Sequence, residues 1–234
     1  MVVLVRFIDT IQGLDDIFEN DIPKGSVVLI TGPPGSLKSG LTFSIISKYL
    51  EKSSEFGIYV TLEQNKRSHL ENMKSMGIEL SENLTISDFT DYRLQYDEFS
   101  GDLLNLIETN IVQYKHKLGD KFTCLTLDSL GALYSLMDVE PRLMRKRLYH
   151  LLEPLRRENL TTFLILEMAD PNGPNHDFEG YLADGIIELG VHTKDDSTNR
   201  FIRVKKMRAS AHSMDPYILT VSDDGLQIYR GTIF

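Results

Sequence analysis

Residues 27–50 read VVLITGPPGSLKSGLTFSIISKYL, and this stretch decides the fold. An apolar run over 27–30 leads into a glycine-rich loop and then into a helical pattern. The run suits a central strand buried on both faces. Past the loop, Leu41, Ile45, Ile46 and Tyr49 recur at helical spacing and can face a core. Between the two lies Gly32-Pro33-Pro34-Gly35-Ser36-Leu37-Lys38-Ser39, followed by Gly40. It differs at one position from the phosphate-binding pattern G-x-x-x-x-G-K-[ST], where Leu37 replaces the last glycine.

The chemistry of a triphosphate explains the pattern. A tightly wound loop points successive backbone N–H groups inward and makes a nest for an anion. Gly32 and Gly35 supply unusual backbone angles without a side-chain clash. The following helix adds the positive end of its dipole. Lys38 then reaches the β- and γ-phosphates, and the Ser39 hydroxyl ligates Mg²⁺. ATP and Mg²⁺ are the ligands this reading implies. Leu37 places a Cβ where a positive backbone angle would strain it, so binding can survive while hydrolysis slows.

The chain has 234 residues, which suits one α/β domain over 1–234. Hydrophobic residues make up 41%, enough for a sizeable core. A net charge of −9 opposes strong non-specific binding to nucleic acid, although a local basic patch can still act. With one cysteine, Cys124, no disulfide within the chain is possible; its apolar surroundings make it a core residue. The opening MVVLVRFID is broken by Arg6 and Asp9 and lacks a small-residue cleavage site, so no export signal is read. No apolar stretch approaches the length of a membrane span. A reducing cytoplasm is the simplest location.

Strands and helices alternate along the chain. A short helix is expected around 14–18 and a turn over 23–26. Strands are expected over 56–62, within 81–89, over 122–127 ending on Asp128, and over 161–166. Helices are expected over 65–76, over 98–118 through Phe99, Leu103 and Ile107, and from Pro141 onward. Pro154 should kink or weaken the last of these. Residues 170–180, DPNGPNHDFEG, read as a mobile polar loop. The tail is strand-rich, and Asp223-Asp224-Gly225 marks a hairpin between 217–222 and 226–229. The expected fold is α/β, a phosphate-loop core with a mainly parallel sheet covered by helices on both faces, plus a C-terminal antiparallel hairpin.

Hydrolysis needs an acidic group near the metal, a base that orients water, and positive charge for the transition state. Asp128, at the end of CLTLD, is the metal candidate, although a strand-end Asp can also cap a turn. Glu63 ends the strand YVTLE at the edge where such sheets place ligands, and its carboxylate can activate water; an ordinary helix-entry acid is the bland alternative. Positive charge comes from Arg200, Arg203, Lys205, Lys206 and Arg208. Alternation places Arg203 and Lys205 on one face, which is either a solvated face or the source of an arginine finger for a neighbouring subunit.

Together these pieces resemble the KaiC-like branch of the RecA-superfamily ATPases, in its single-domain, archaeal form, and the resemblance covers nearly the whole chain. Gly13-Leu14-Asp15 and Ile22-Pro23-Lys24-Gly25 are similar to the family's lead-in, and Leu127-Asp128-Ser129 resembles its Walker B end. Glu63-Gln64 resembles the family's paired catalytic glutamates, with the second replaced. Glu167 stands at the strand end where the family often carries a polar residue near the γ-phosphate. Lys206-Met207-Arg208-Ala209-Ser210-Ala211-His212 is similar to the segment that enters the adjacent subunit's nucleotide site. The resemblance implies Glu63 as general base and Lys206 and Arg208 acting in trans, with Ser210 and His212 nearby. It also implies a homo-oligomeric, hexameric ring.

Three functions are compatible with these residues. The first is a slow, Mg-dependent ATPase whose nucleotide lies between ring subunits. The second, motivated by Leu37 and Gln64, is a non-hydrolysing scaffold or signalling module that presents a surface to an unidentified protein partner. The third is a recombination accessory protein on single-stranded DNA. The RecA likeness makes the third possible, but residues 170–180 carry acids and no Lys or Arg; Arg142, Arg145, Lys146 and Arg147 speak in its favour or are simply the exposed face of a helix.

Overall fold

A computed structural model describes residues 4–91, 103–136, 141–167, 177–194 and 197–231. The strands are β1 (Val27–Gly32), β2 (Phe56–Thr61), β3 (Leu84–Asp88), β4 (Phe122–Asp128), β5 (Thr161–Glu167), β6 (Gly185–Lys194), β7 (Ser197–Met207), β8 (Tyr217–Ser222) and β9 (Gly225–Tyr229). The helices are α1 (Lys38–Ser53), α2 (Lys66–Ser75), α3 (Leu103–Leu118), α4 (Leu130–Leu136), α5 (Pro141–Arg157) and α6 (Asp177–Leu182). Among the described residues the nine strands form one sheet in the order β3-β2-β4-β5-β1-β6-β7-β8-β9. From β3 to β6 the pairing is parallel, and β7, β8 and β9 extend it antiparallel.

β1 lies between β5 and β6, and all six of its residues are buried. Its side chains alternate between two apolar layers, as a pleated strand requires. Val28 and Ile30 join Leu41, Ile45 and Tyr49 of α1 on one face. Val27 and Leu29 join Ile107 and Ile111 of α3 and Leu148, Leu151 and Leu155 of α5 on the other. Each fully buried side chain of this size contributes roughly 1.5–3 kcal/mol, so helices on both faces are what hold the central strand dry. Cys124 lies in the first layer, with its thiol pushed up to about 12 by burial.

Several local expectations change. Residues 14–18 form a turn rather than a helix. Gly13 has φ +81°, and a Cβ there would meet Ile228 O at 1.9 Å. Gln12 and Phe18 are instead committed to bridges with Gln227 and His212. Helix α4 has no counterpart in the reading by periodicity, because seven residues give too few turns to reveal a period. Its start is nevertheless a conventional one, with the Ser129 Oγ accepting the Ala132 N–H at 3.2 Å. Helix α5 runs on through Pro154 to Arg157. Of the expected loop over 170–180, residues 170–176 lie outside the described residues and 177–180 belong to helix α6; the expected start of α3 around Phe99 is likewise outside them. The hairpin β8–β9 forms with Ser222 opposite Gly225.

His69 of α2 is buried against Phe43 and Tyr59, with ring centroids at 5.2 and 4.7 Å. Its Nε2 has no hydrogen-bond partner among the described residues. Burial pushes its pKa down to about 4, below the roughly 6.5 of an unfolded chain. The unfolded chain therefore takes up this proton first, and stability falls as pH drops from about 6.5 through about 4. Urea unfolding at pH 7 and 4.5 should show that His69→Leu loses about 2 kcal/mol less than the wild type over that interval. Equal losses in both proteins would remove His69 as the cause.

Candidate functional site

The carboxyl ends of the parallel strands gather the chemistry predicted from sequence. The glycine-rich loop leaves β1, Glu63 follows β2, Asp128 ends β4 and Glu167 ends β5. Thr61 is level with Asp128, and Gly32 with Glu167, so the four meet along one edge. An open cleft of about 540 Å³ there is lined by Glu63, Gln64, Gly131, Ala132, Ser135 and Glu167.

Loop geometry follows from its residues. A Cβ on Gly32 would stand 2.3 Å from Leu189 O, so the loop can leave the sheet only at a glycine. Gly35 has φ +77° and nothing within 4 Å of its Cβ position, which leaves its face open. The Pro33 carbonyl accepts from Ser36 N at 3.3 Å, Ser36 Oγ at 2.7 Å and Lys38 Nζ at 2.9 Å, winding the loop round itself. Pro34 at its tip is exposed. Lys38 is buried and also stands 3.6 Å from Glu167 Oε1. Gly40 belongs to packing, since a Cβ there would come within 3.2 Å of Met76 Cε.

Leu37 does occupy the left-handed region, at φ 74° and ψ 27°, immediately before α1. That conformation costs a non-glycine residue roughly 1–2 kcal/mol. Its side chain is partly buried against the same apolar layer as α1, which offsets the strain.

Asp128 is buried and accepts from Tyr59 Oη at 2.6 Å. Burial raises its pKa, while Tyr59, Ser39 and Lys38 pull the other way without cancelling that rise. Ser129 Oγ donates a short hydrogen bond to Glu63 Oε1. Gln64 is held from behind, its Oε1 accepting from Asn72 Nδ2 at 3.2 Å. Among the described residues no group of three His, Cys, Asp or Glu side chains is placed to hold a metal.

The basic residues separate into three sets. Arg200 Nε donates to Gly35 O at 2.8 Å, bracing the phosphate loop from β7. Arg203 and Lys205 both pair with Glu188 of β6, so the shared face expected from alternation is real and one carboxylate offsets part of its charge. Lys206 and Arg208 lie toward the opposite edge of the sheet. Lys206 Nζ donates to Gly180 O at 2.9 Å and Ala183 O at 2.6 Å, and burial followed by the charge of Arg208 lowers its pKa. Arg208 pairs with Asp184 at 3.1 Å. The same carboxylate accepts from Val27 N at 3.0 Å and Arg156 Nε at 3.2 Å; burial works to raise its pKa, but these donors hold it below the usual range. Val27 and Gly32 are five strand steps apart, so Arg208 is anchored roughly 17 Å along β1 from the loop. Ser210 is buried, and its carbonyl stands 3.0 Å from His212 Nδ1. The structure does not bring these four C-terminal residues to their own loop.

The pairings of Arg200 with Gly35, Ser129 with Glu63 and Asp184 with Val27 have no counterpart in the sequence reading. Ser129 carried a usable signal, a serine directly before a helix start. The other two pairings join residues 165 and 157 positions apart, and no local spacing announces them.

A phosphate loop leaving the central strand, with acidic residues closing the neighbouring strand ends, defines a RecA-type nucleotide-binding fold. The chain belongs to the KaiC ATPase family: the family described as "ATPase: KaiC" matches residues 9–233. It is 27% identical to the circadian clock oscillator protein KaiC of Parathermosynechococcus lividus, over 94% of this chain and 41% of that protein. With the KaiC of a Picosynechococcus species it shares 26% identity, over 94% of this chain and 43% of that protein. The chain thus spans less than half the length of these curated relatives. It also superposes on the crystal structure of a KaiC-like protein from the hyperthermophilic archaeon Pyrococcus horikoshii, with a TM-score of 0.79 and 25% identity. That match covers 98% of this chain and 100% of the other. No helix among the described residues is long and apolar enough to cross a membrane.

Replacing Leu37 separates strain from packing. Leu37→Gly and Leu37→Ala lose nearly the same contacts, but only glycine is free of the left-handed penalty. Leu37→Gly is expected to be the more stable of the two by about 1 kcal/mol in urea unfolding. Equal midpoints would show that the loop carries no strain at this residue.

Proposed function

We propose that residues 1–234 act as one ATPase domain that binds Mg·ATP and hydrolyses it slowly in the cytoplasm. The nucleotide lies between subunits of a homo-oligomeric ring, a hexamer by family likeness, and its state is coupled to assembly or to a protein partner. One observation carries this reading: Lys38 at the start of α1, Asp128 at the end of β4 and Glu63 just beyond β2 gather at the carboxyl ends of neighbouring parallel strands, next to the glycine-rich loop.

In this reading the loop N–H groups and Lys38 hold the phosphates. Ser39 in the first turn of α1 and Asp128 at the end of β4 offer hard oxygen donors, which fits magnesium, and they would hold it there. The ion, when bound, supplies positive charge at the phosphate oxygens. Glu63, fixed by Ser129, takes a proton from the attacking water as the water oxygen bonds to the γ-phosphorus. The bond from the γ-phosphorus to the bridging oxygen breaks, and ADP carries that oxygen away. Lys206 and Arg208, out of reach of their own loop, serve a neighbouring subunit, with Ser210 and His212 beside them.

Leu37 in a strained conformation and Gln64 held by Asn72 favour a second reading, in which ATP drives assembly without useful turnover. Glu63→Gln tests the choice. The variant should bind ATP as the wild type does and release phosphate at least 100-fold more slowly, the usual weight of a general base. Unchanged release would sink the assignment of Glu63, and a wild type with no turnover above background would leave the scaffold reading.

Mixing tests action in trans. Glu63→Gln and the double variant Lys206→Ala/Arg208→Ala should each be inactive alone. Combined in equal amounts with subunit exchange, about a quarter of the interfaces join an intact base to an intact finger. Phosphate release should therefore recover to about a quarter of the wild-type rate. No recovery in rings shown to be mixed would exclude action across the interface.

A further inference from the structure

The carboxylate of Glu167 stands 3.6 Å from Lys38 Nζ, a buried ammonium whose other close contact is the Pro33 carbonyl. Glu167 ends β5 level with Gly32, where the phosphate loop begins, so its position is fixed by the sheet rather than by a mobile segment. The side chain is 42% exposed and faces the same cleft as Glu63. Lys38 is the cation that a terminal phosphate would seek, and it already has an acidic partner.

From this geometry we infer that Glu167 sets the nucleotide preference of the site. The inference rests on the ATP-binding reading above and deepens it. A γ-phosphate approaching Lys38 meets a second negative group a few ångströms away. It must share the ammonium or displace the carboxylate. ADP ends at the β-phosphate, which Lys38 can also reach, and places no charge at the γ position beside Glu167. Glu167 therefore penalises ATP selectively and moves the preference of the loop toward ADP. A carboxamide at this place would keep the size and hydrogen-bonding capacity of the side chain without the repulsion. Structural pairing alone, by contrast, predicts equal effects on both nucleotides.

The experiment is calorimetric titration of the full chain, in the presence of Mg²⁺, with ADP and with the β,γ-imido analogue of ATP. Wild type, Glu167→Gln and Glu167→Asp are compared. Glu167→Gln should raise the affinity ratio of the ATP analogue to ADP by about tenfold, the size of one charge interaction across a partly solvated site. Glu167→Asp keeps the charge and should hold the ratio within about twofold of wild type. Retained ADP binding shows in each case that the site is folded. A ratio unchanged in Glu167→Gln, or shifted equally by Glu167→Asp, overturns the inference while leaving ATP binding standing. Failure of the wild type to bind either nucleotide overturns the ATP reading and this inference with it.

Discussion

The approach of Gly32 to the Leu189 carbonyl is the constraint on which the site depends. With 2.3 Å between a would-be Cβ and that oxygen, the chain turns off the sheet at this residue and only with glycine there. The turn fixes where the loop starts, between the ends of β5 and β6. It thereby decides which strand ends become its neighbours. Glu167 adjoins the loop because β5 pairs with β1. Asp128 and Glu63 follow outward because β4 and β2 come next in the sheet. Moving β1 by one residue would exchange the two apolar layers and misplace the loop against every one of these groups.

Strain and packing are balanced rather than minimised around this turn. Leu37 holds a conformation that suits glycine, and the apolar layer beneath α1 compensates it. Tyr59 and Asp128 show the same balance in polar form. Burial makes the carboxylate costly, and the tyrosine hydroxyl, Ser39 and Lys38 each return part of that cost. His69 sits behind Tyr59 as an aromatic spacer that must stay neutral. The ground beneath the loop is therefore built from residues with narrow tolerance.

Much of this was legible in the sequence because it is local. The phosphate loop, the strand ending on Asp128 and the β8–β9 turn each declare themselves within ten residues. What escaped reading has a common physical cause. Arg200 on Gly35, Asp184 on Val27 and Ser129 on Glu63 depend on which strands lie side by side, and strand order is a property of the whole sheet. Residues 14–18 misled for a related reason. Their helical spacing is real, but Gln12 and Phe18 find better partners in β9 and in the segment after β7. The α4 helix was missed for want of length alone.

Placing the phosphate loop at one edge of the sheet and anchoring Arg208 toward the other has a geometric consequence. If those two features meet between copies, each copy contributes a different surface to the contact. Such an interface is heterologous, and a twofold dimer cannot satisfy it, because a twofold axis brings like surfaces together. Repetition of one rotation either closes on itself or winds into a filament. The number of subunits is then set by an angle between two faces of a rigid sheet, and a small change in how Asp184 seats Arg208 would be felt as a change in closure.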